Sequence, residues 1–201
     1  MTLKIVQAGD PVLRNRAREL SSAEILSRAI QDLIAEMRET MRDAPGVGLA
    51  APQIGESIQL AVIEDRPDYQ SSASEDRLAL LERQPVPFHV IVNPRITRGE
   101  ARPDARFFEG CLSVNGWVGV VPRALEVRVD AFDEHGKPIQ IDARGWYARI
   151  LQHEIDHLHG VLCIDRAYTR TLMTQESYAE FWGNQPMDRI WQALDPERPL
   201  P

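Results

Sequence analysis

Gln152-His153-Glu154-Ile155-Asp156-His157 is the stretch on which the reading of this chain turns. On a helix, residues four apart stack on one face about a turn apart. His153 and His157 can therefore grip a single ion while Glu154, next in sequence, leans toward that ion's open position. Two nitrogen ligands and a carboxylate free to move protons suit metal-assisted hydrolysis. The same string also arises by chance, so its surroundings decide its weight. Apolar Trp146, Ile150, Leu151, Ile155 and Leu158 flank the polar cluster, as expected of a helix buried in a core. The pattern predicts a helix from Trp146 to His159, closed by Gly160 just past its end.

Outward from that helix, the chain reads as α+β, with short antiparallel strands packed around a central metal-binding helix. Ser21 to Met41 reads as a helix, opened by a Ser21/Glu24 capping box and stopped at Pro45-Gly46. An apolar, glycine-rich stretch follows at Gly46 to Gly55, then a strand from Ile58 to Glu64. Asp65 to Pro87 is a polar excursion within one domain, low in complexity at Ser71-Ser72-Ala73-Ser74, with a turn of helix at Leu78 to Leu81. Phe88 to Asn93 reads as a strand. Leu125 to Val129 and Ile139 to Ile141 alternate across a turn at Glu134-His135-Gly136-Lys137, which is a hairpin pattern. Val161 to Ile164 reads as a short buried strand. Residues 1–172 are expected to form the catalytic domain, and residues 173–201 a helical tail packed on it.

The 201 residues carry a net charge of −7, which argues against a broad nucleic-acid or anionic-membrane surface. No apolar run approaches the ~18 residues of a membrane span. Met1 to Val6 lacks the apolar core of a secretory signal. The two cysteines, Cys111 and Cys163, are too few for a disulfide framework. A reducing cytoplasm is the simplest setting, and there a thiolate is free to bind metal.

A catalytic site of this kind takes three protein ligands and keeps one position open. Cys163 completes a metzincin-like spacing with Gly160, but it sits in an apolar run where cysteine behaves as a small hydrophobe. Glu176 lies at the distance of a ligand on a following helix, although helical acids are mostly solvated. Cys111, in Glu109-Gly110-Cys111-Leu112-Ser113-Val114, offers a thiolate beside a glycine that lets the backbone come close to a reacting group.

Three motifs in order bear on that choice: Gly46-Val47-Gly48-Leu49-Ala50-Ala51-Pro52-Gln53-Ile54-Gly55, Glu109-Gly110-Cys111-Leu112-Ser113 and Gln152 to His157. Together they resemble the peptide deformylases, as do Gly9 to Arg14 and Val121 to Ala124. The resemblance covers about residues 3 to 172. The polar excursion and Gly145-Trp146 look closer to the branch that includes organellar deformylases. A dinucleotide fingerprint at Gly46-x-Gly48-x-x-Ala51 is rejected, because it follows a helix and Pro52 interrupts it.

The resemblance implies that Cys111, His153 and His157 hold one divalent ion, iron(II) in the usual case, with zinc, nickel or cobalt able to substitute. It implies Glu154 as the proton carrier, with the Gln53 side chain and the Leu112 N–H stabilising an oxyanion. The implied substrate is the formyl-methionine end of a new peptide, cleaved to formate and a free amine. That peptide would lie beside Val47 and Gly48. Ile150, Trp146 and Leu125 are candidates for the methionine pocket, and Glu109 and Arg123 for a pair that orients the ligand loop. His89, His135, His159 and Asp156 are read as structural.

Asn115 departs from the proline of many bacterial members. The tail from residue 168 holds Arg170, Arg189 and Arg198 against five acids, so the basic helix that helps some members dock on the ribosome is missing. Its aromatic residues are expected to cover the protein's own core or form a dimer contact, leaving a monomer or homodimer. Transient proximity to the ribosome, but no membrane or direct nucleic-acid partner, is the corresponding expectation. Two rivals share the helix: a metallopeptidase cutting internal bonds, and a non-catalytic protein with a closed, four-ligand site.

Overall fold

Ser21 opens the first helical segment as its spacing predicts. Its hydroxyl accepts from Glu24 N at 3.3 Å, and its own N–H donates to Glu24 Oε2 at 2.8 Å. The segment then breaks. Helix α1 (Ser22–Ile25) ends at Leu26, and Ser27 caps a second helix, α2 (Arg28–Asp43), by accepting from Ile30 N. One helix over Ser21 to Met41 is therefore corrected to two, because the Ser27 hydroxyl competes for the backbone. The structure, a computed structural model, describes residues 2–71, 73–99 and 104–197. Met1, Ser72 of the polar excursion and Arg198 of the tail count lie outside the described residues.

An antiparallel five-stranded sheet forms the centre, in the order β1 (Gly48–Ala50), β2 (Leu60–Asp65), β3 (Val86–Arg98), β6 (Glu126–Phe132), β7 (Pro138–Arg144). Successive side chains on a strand face opposite sides, and β2 is buried on both. Leu60 and Val62 join Met37 and Met41 of α2, whereas Ala61 and Ile63 join the other core. Strand β3 outruns the expected Phe88–Asn93 at both ends. The polar excursion carries a helix, α3 (Glu75–Leu81), longer than the single turn expected. Strands β6 and β7 form the expected hairpin around Gly136.

A second sheet, in the order β4 (Ala105–Gly110), β5 (Trp117–Arg123), β8 (Met173–Thr174), has no counterpart in the sequence reading. Its strands carry Glu109, Pro122 and Arg123, which spoil a clean apolar alternation.

Helix α4 (Gly145–Leu158) lies against the five-stranded sheet, burying Leu151, Ile155 and Leu158 among Ala61, Ile63, Ile91 and Val129. His159 caps it, and Gly160 at φ +75° reverses the chain. A Cβ at Gly160 would stand 2.5 Å from Arg14 O, so the chain crosses there in close contact.

The expected strand at Val161–Ile164 is corrected to a helical turn, α5 (Cys163–Arg166). Asp165 accepts from Leu162 N at 2.8 Å and pairs with Arg14, taking the backbone donor a strand would need. Beyond it, α6 (Gln175–Ser177) and α7 (Met187–Leu194) carry the tail. Trp191 of α7 meets Tyr168 edge-on at 4.8 Å, and Ile190 is buried. No helix among the described residues is long and apolar enough to cross a membrane.

Gly160→Ala is expected to lower stability by at least about 1–2 kcal/mol, the cost of a left-handed backbone with a side chain. Urea unfolding reads this directly, and an unchanged midpoint would contradict the account of the helix end.

Candidate metal and hydrolytic site

Helix α4 presents His153 and His157 one turn apart, and the turn after β4 brings Cys111 to them from the second sheet. Cys111 Sγ lies 3.3 Å from His157 Nε2, which is 3.3 Å from His153 Nε2. Ligand atoms of all three residues fall within 4.8 Å of one another, and Cys163 and Glu176 are outside this set. Cys163 lies buried at the start of α5, and Glu176 is exposed on α6. A tetrahedral zinc-type ion places its nitrogens about 3.3 Å apart, and sulfur about 3.6 Å from nitrogen, given its bond lengths. The donor triangle has that scale.

The ring orientations follow from what holds the far nitrogens. His153 Nδ1 meets Glu109 Oε2 at 3.1 Å, leaving Nε2 for the triangle. Burial opposes a charge on His153, but the bond to Glu109 outweighs it and raises the imidazole to about 9. His157 goes the other way: burial, with charged His153 beside it, holds its pKa well below the ordinary value. Hydrogen bonding to Cys163 and burial push the Cys111 thiol well up. A cation in the triangle would displace these protons, since metal ligation needs neutral imidazole and thiolate.

Glu109 is the hub of a buried charge network. Arg123 grips both its oxygens at 2.9 Å, and Arg149 Nη1 reaches Oε1 at 2.6 Å. Burial favours a neutral Glu109, but the bonds from His153 and Arg123 hold its pKa below the usual carboxylate range. Arg123 also pairs with Asp156, whose two oxygens accept from Arg166 at 2.6 Å. Asp156 thus orients neighbours, and it stands outside the ligand cluster. Arg149 was missed in the sequence reading. It sits four residues before His153, so the helical spacing that paired the histidines also placed it on their face.

Beside the triangle, Glu154 is buried, and its Oε2 has no partner among the described residues. Burial pushes its pKa up to about 7, against the pull of His153 and Arg123. Its carboxylate abuts Gly48, where a Cβ would stand 2.2 Å from Oε1, so only glycine fits. Gln53 is fixed by accepting from Ala50 N at 2.8 Å. Its Nε2 lies 3.6 Å from Cys111 Sγ and 3.3 Å from Ser113 Oγ. Leu112 O accepts from Gln7 Nε2, while its N–H has no protein acceptor among the described residues.

A cleft of about 460 Å³ opens over these groups. Val47, Gly48, Gln53, Cys111, Leu112, Trp146, Ile150, His153 and Glu154 all line it, together with Asn115, Arg149 and Gln175. Leu125 does not; it faces a small separate cavity that Trp146 also lines. Strand β1 is the sheet's edge, paired among the described residues with β2 alone, which leaves its other side for an added strand. The remaining histidines lie elsewhere. His89 bonds Pro87 O and Tyr147 Oη, His135 sits in the hairpin turn, and His159 Nδ1 meets Ile155 O.

A model of the family described as polypeptide deformylase matches residues 2–172. The chain is 49% identical over 173 residues to "Peptide deformylase 1A, chloroplastic" of Solanum lycopersicum, covering 86% of this chain but 62% of that protein. It is 46% identical to "Peptide deformylase 1" of Streptomyces coelicolor, over 99% of this chain and 88% of that one. A class I type b peptide deformylase from Acinetobacter baumannii, solved with Met-Ala-Ser bound, superposes with a TM-score of 0.73 at 31% identity. It covers 83% of this chain and 98% of that one.

Arg123→Ala would take from buried Glu109 its two-pronged partner and from Asp156 one of its two arginines, leaving Arg149, His153 and Arg166 to hold the two carboxylates. A stability loss of about 3–5 kcal/mol is expected, with divalent-metal affinity falling ~10–100-fold as His153 loses its orientation. Denaturant unfolding and metal titration check the two parts.

Proposed function

The chain belongs to the polypeptide deformylase family, and on that premise we propose that it hydrolyses the formyl amide of N-terminal formyl-methionine on newly made peptides. The products are formate and a free α-amine. One observation carries the reading: a Cys-His-His triangle, a buried Glu154 and the Gln53 amide meet in one cleft beside an open strand edge.

Cys111, His153 and His157 would hold the ion, and their mixed sulfur and nitrogen donors suit iron(II), with zinc, cobalt or nickel able to replace it. Such an ion supplies Lewis acidity, making water nucleophilic near neutral pH. Glu154 takes the proton of the attacking water and passes it to the departing amine nitrogen. Its burial, which favours the protonated carboxyl, suits a group that holds the proton between the two halves of that transfer. Gln53 Nε2 and the Leu112 N–H stand ready as donors to the oxygen that gains charge.

The peptide would add to the edge at Val47 and Gly48, with the methionine side chain in the pocket of Trp146 and Ile150. A formyl carbon bears only hydrogen, so a tight site selects it by excluding bulkier acyl groups. Residues 1–172 would form the catalytic domain, with residues 173–201 as a tail folded back on it. The acidic tail offers no basic helix for ribosomal docking, and a monomer or homodimer in a reducing cytoplasm suits the free thiol ligand.

Purified protein loaded with iron under anaerobic conditions is expected to release formate from formyl-Met peptides, and cleavage of internal peptide bonds instead would sink the proposal. Glu154→Gln should cut kcat by about 10²–10⁴-fold, and Gln53→Ala by about 10²–10³-fold. Cys111→Ser should empty the site of metal while Cys163→Ser retains it. Elemental analysis showing the reverse would overturn the ligand assignment.

A further inference from the structure

The polar excursion after β2 reaches the cleft wall by way of Trp146 of α4. Asp65 ends β2 with its side chain fully buried, and Arg83 closes on it with a two-pronged grip. Arg83 Nε reaches Oδ2 and Nη2 reaches Oδ1, each at 2.8 Å. Gln70 Nε2, from within the excursion, adds a contact to Oδ2 at 3.3 Å.

The Arg83 guanidinium lies over the Trp146 ring, 5.1 Å from its centroid. Trp146 in turn forms part of the cleft wall, which Arg83 does not touch. The excursion also leans on the foot of α4. Space beside Gly145 is filled by Glu82 Cβ and Leu81 O, 2.5 and 2.8 Å from where a Cβ would be. The Trp146 indole N–H is buried with no partner among the described residues, so no protein acceptor found there holds the ring in place.

We propose that the Asp65–Arg83 pair is a positioning device that fixes the Trp146 wall, so that the excursion sets which first side chain the cleft accepts. A buried ion pair is retained at a desolvation cost, and here its geometry does what lysine could not. The planar fork is locked by two bonds and leaves its flat face for the indole, an arrangement that restrains both ring orientation and depth. Arg83 acts only through Trp146, and Trp146 acts only on the side chain that fills the pocket. The inference rests on the deformylase reading for its substrate, but the clamp itself does not.

Removing Arg83 alone would strand Asp65, so two other variants carry the test. Arg83→Lys keeps the charge and loses the fork; Asp65→Asn with Arg83→Met removes the buried pair together. KM for a formyl-Met peptide is expected to rise about tenfold in both with kcat within about twofold, a loss of binding and not of chemistry. A formyl-Ala peptide, which leaves the pocket empty, should keep its KM, so selectivity for Met over Ala falls by the same factor.

Independently of activity, the Trp146 fluorescence, isolated by difference from Trp146→Phe, should shift in both variants. Unchanged selectivity with an unchanged Trp146 signal would overturn the proposal, as would equal losses on both peptides, which mark general damage. If the parent protein releases no formate at all, the deformylase reading fails, and the fluorescence arm still decides whether the clamp holds the ring.

Discussion

One buried carboxylate organises this protein. Glu109 accepts from Arg123, Arg149 and His153, and those residues come from β5 and from two turns of α4. The second sheet is thereby fastened to the helix by charge-assisted bonds among largely buried groups. Such a network is costly unless every member is satisfied, and here each arginine has further partners. Arg149 also donates to Val121 O and Ala105 O, and Arg123 reaches Asp156. Cys111 lies two residues beyond Glu109, so the same bonds that join sheet to helix bring the sulfur to the imidazoles.

The parts of this arrangement that were legible in the sequence are those governed by local periodicity. The four-residue spacing of His153 and His157, the Ser21 capping box and the alternation across the Gly136 turn each report a geometry that depends on near neighbours. Strands β4 and β5 were not legible, because their inward positions carry charge and their partners are distant in sequence. An Arg-Phe-Phe-Glu run shows no polar face until Arg149 and Arg123 arrive to neutralise Glu109. Cys163 was read as a strand residue on the strength of its apolar neighbours. Asp165, reaching back to the Leu162 N–H, made the segment helical. The choice of Cys111 as the partner of the histidines rested on the resemblance, since residue chemistry alone left Cys163 and Glu176 in play.

The family match ends at residue 172, and the chain beyond it still engages the rest of the protein. Strand β8 pairs with the start of β5, while Arg106 of β4 stacks on Trp191 at 4.4 Å and on Tyr168 at 5.7 Å. Gln175 then reaches the cleft margin beside Gly110. The tail is thus continuous with the sheet that leads to Cys111; Tyr178 and Trp191 pack against that sheet, while Phe181 stays exposed.

The contact between Gly48 and the Glu154 carboxylate has a consequence for how a bound chain is read. With no side chain between them, the edge strand's backbone and the acid share a fixed origin. A polypeptide that hydrogen-bonded along that edge would be registered against the Glu154 carboxylate before any of its side chains was sensed. Distance from the chain's end becomes a measured quantity. On the proposed binding mode a blocked first residue would meet the acid, while an interior amide would need chain on both sides where the pleat has already been assigned.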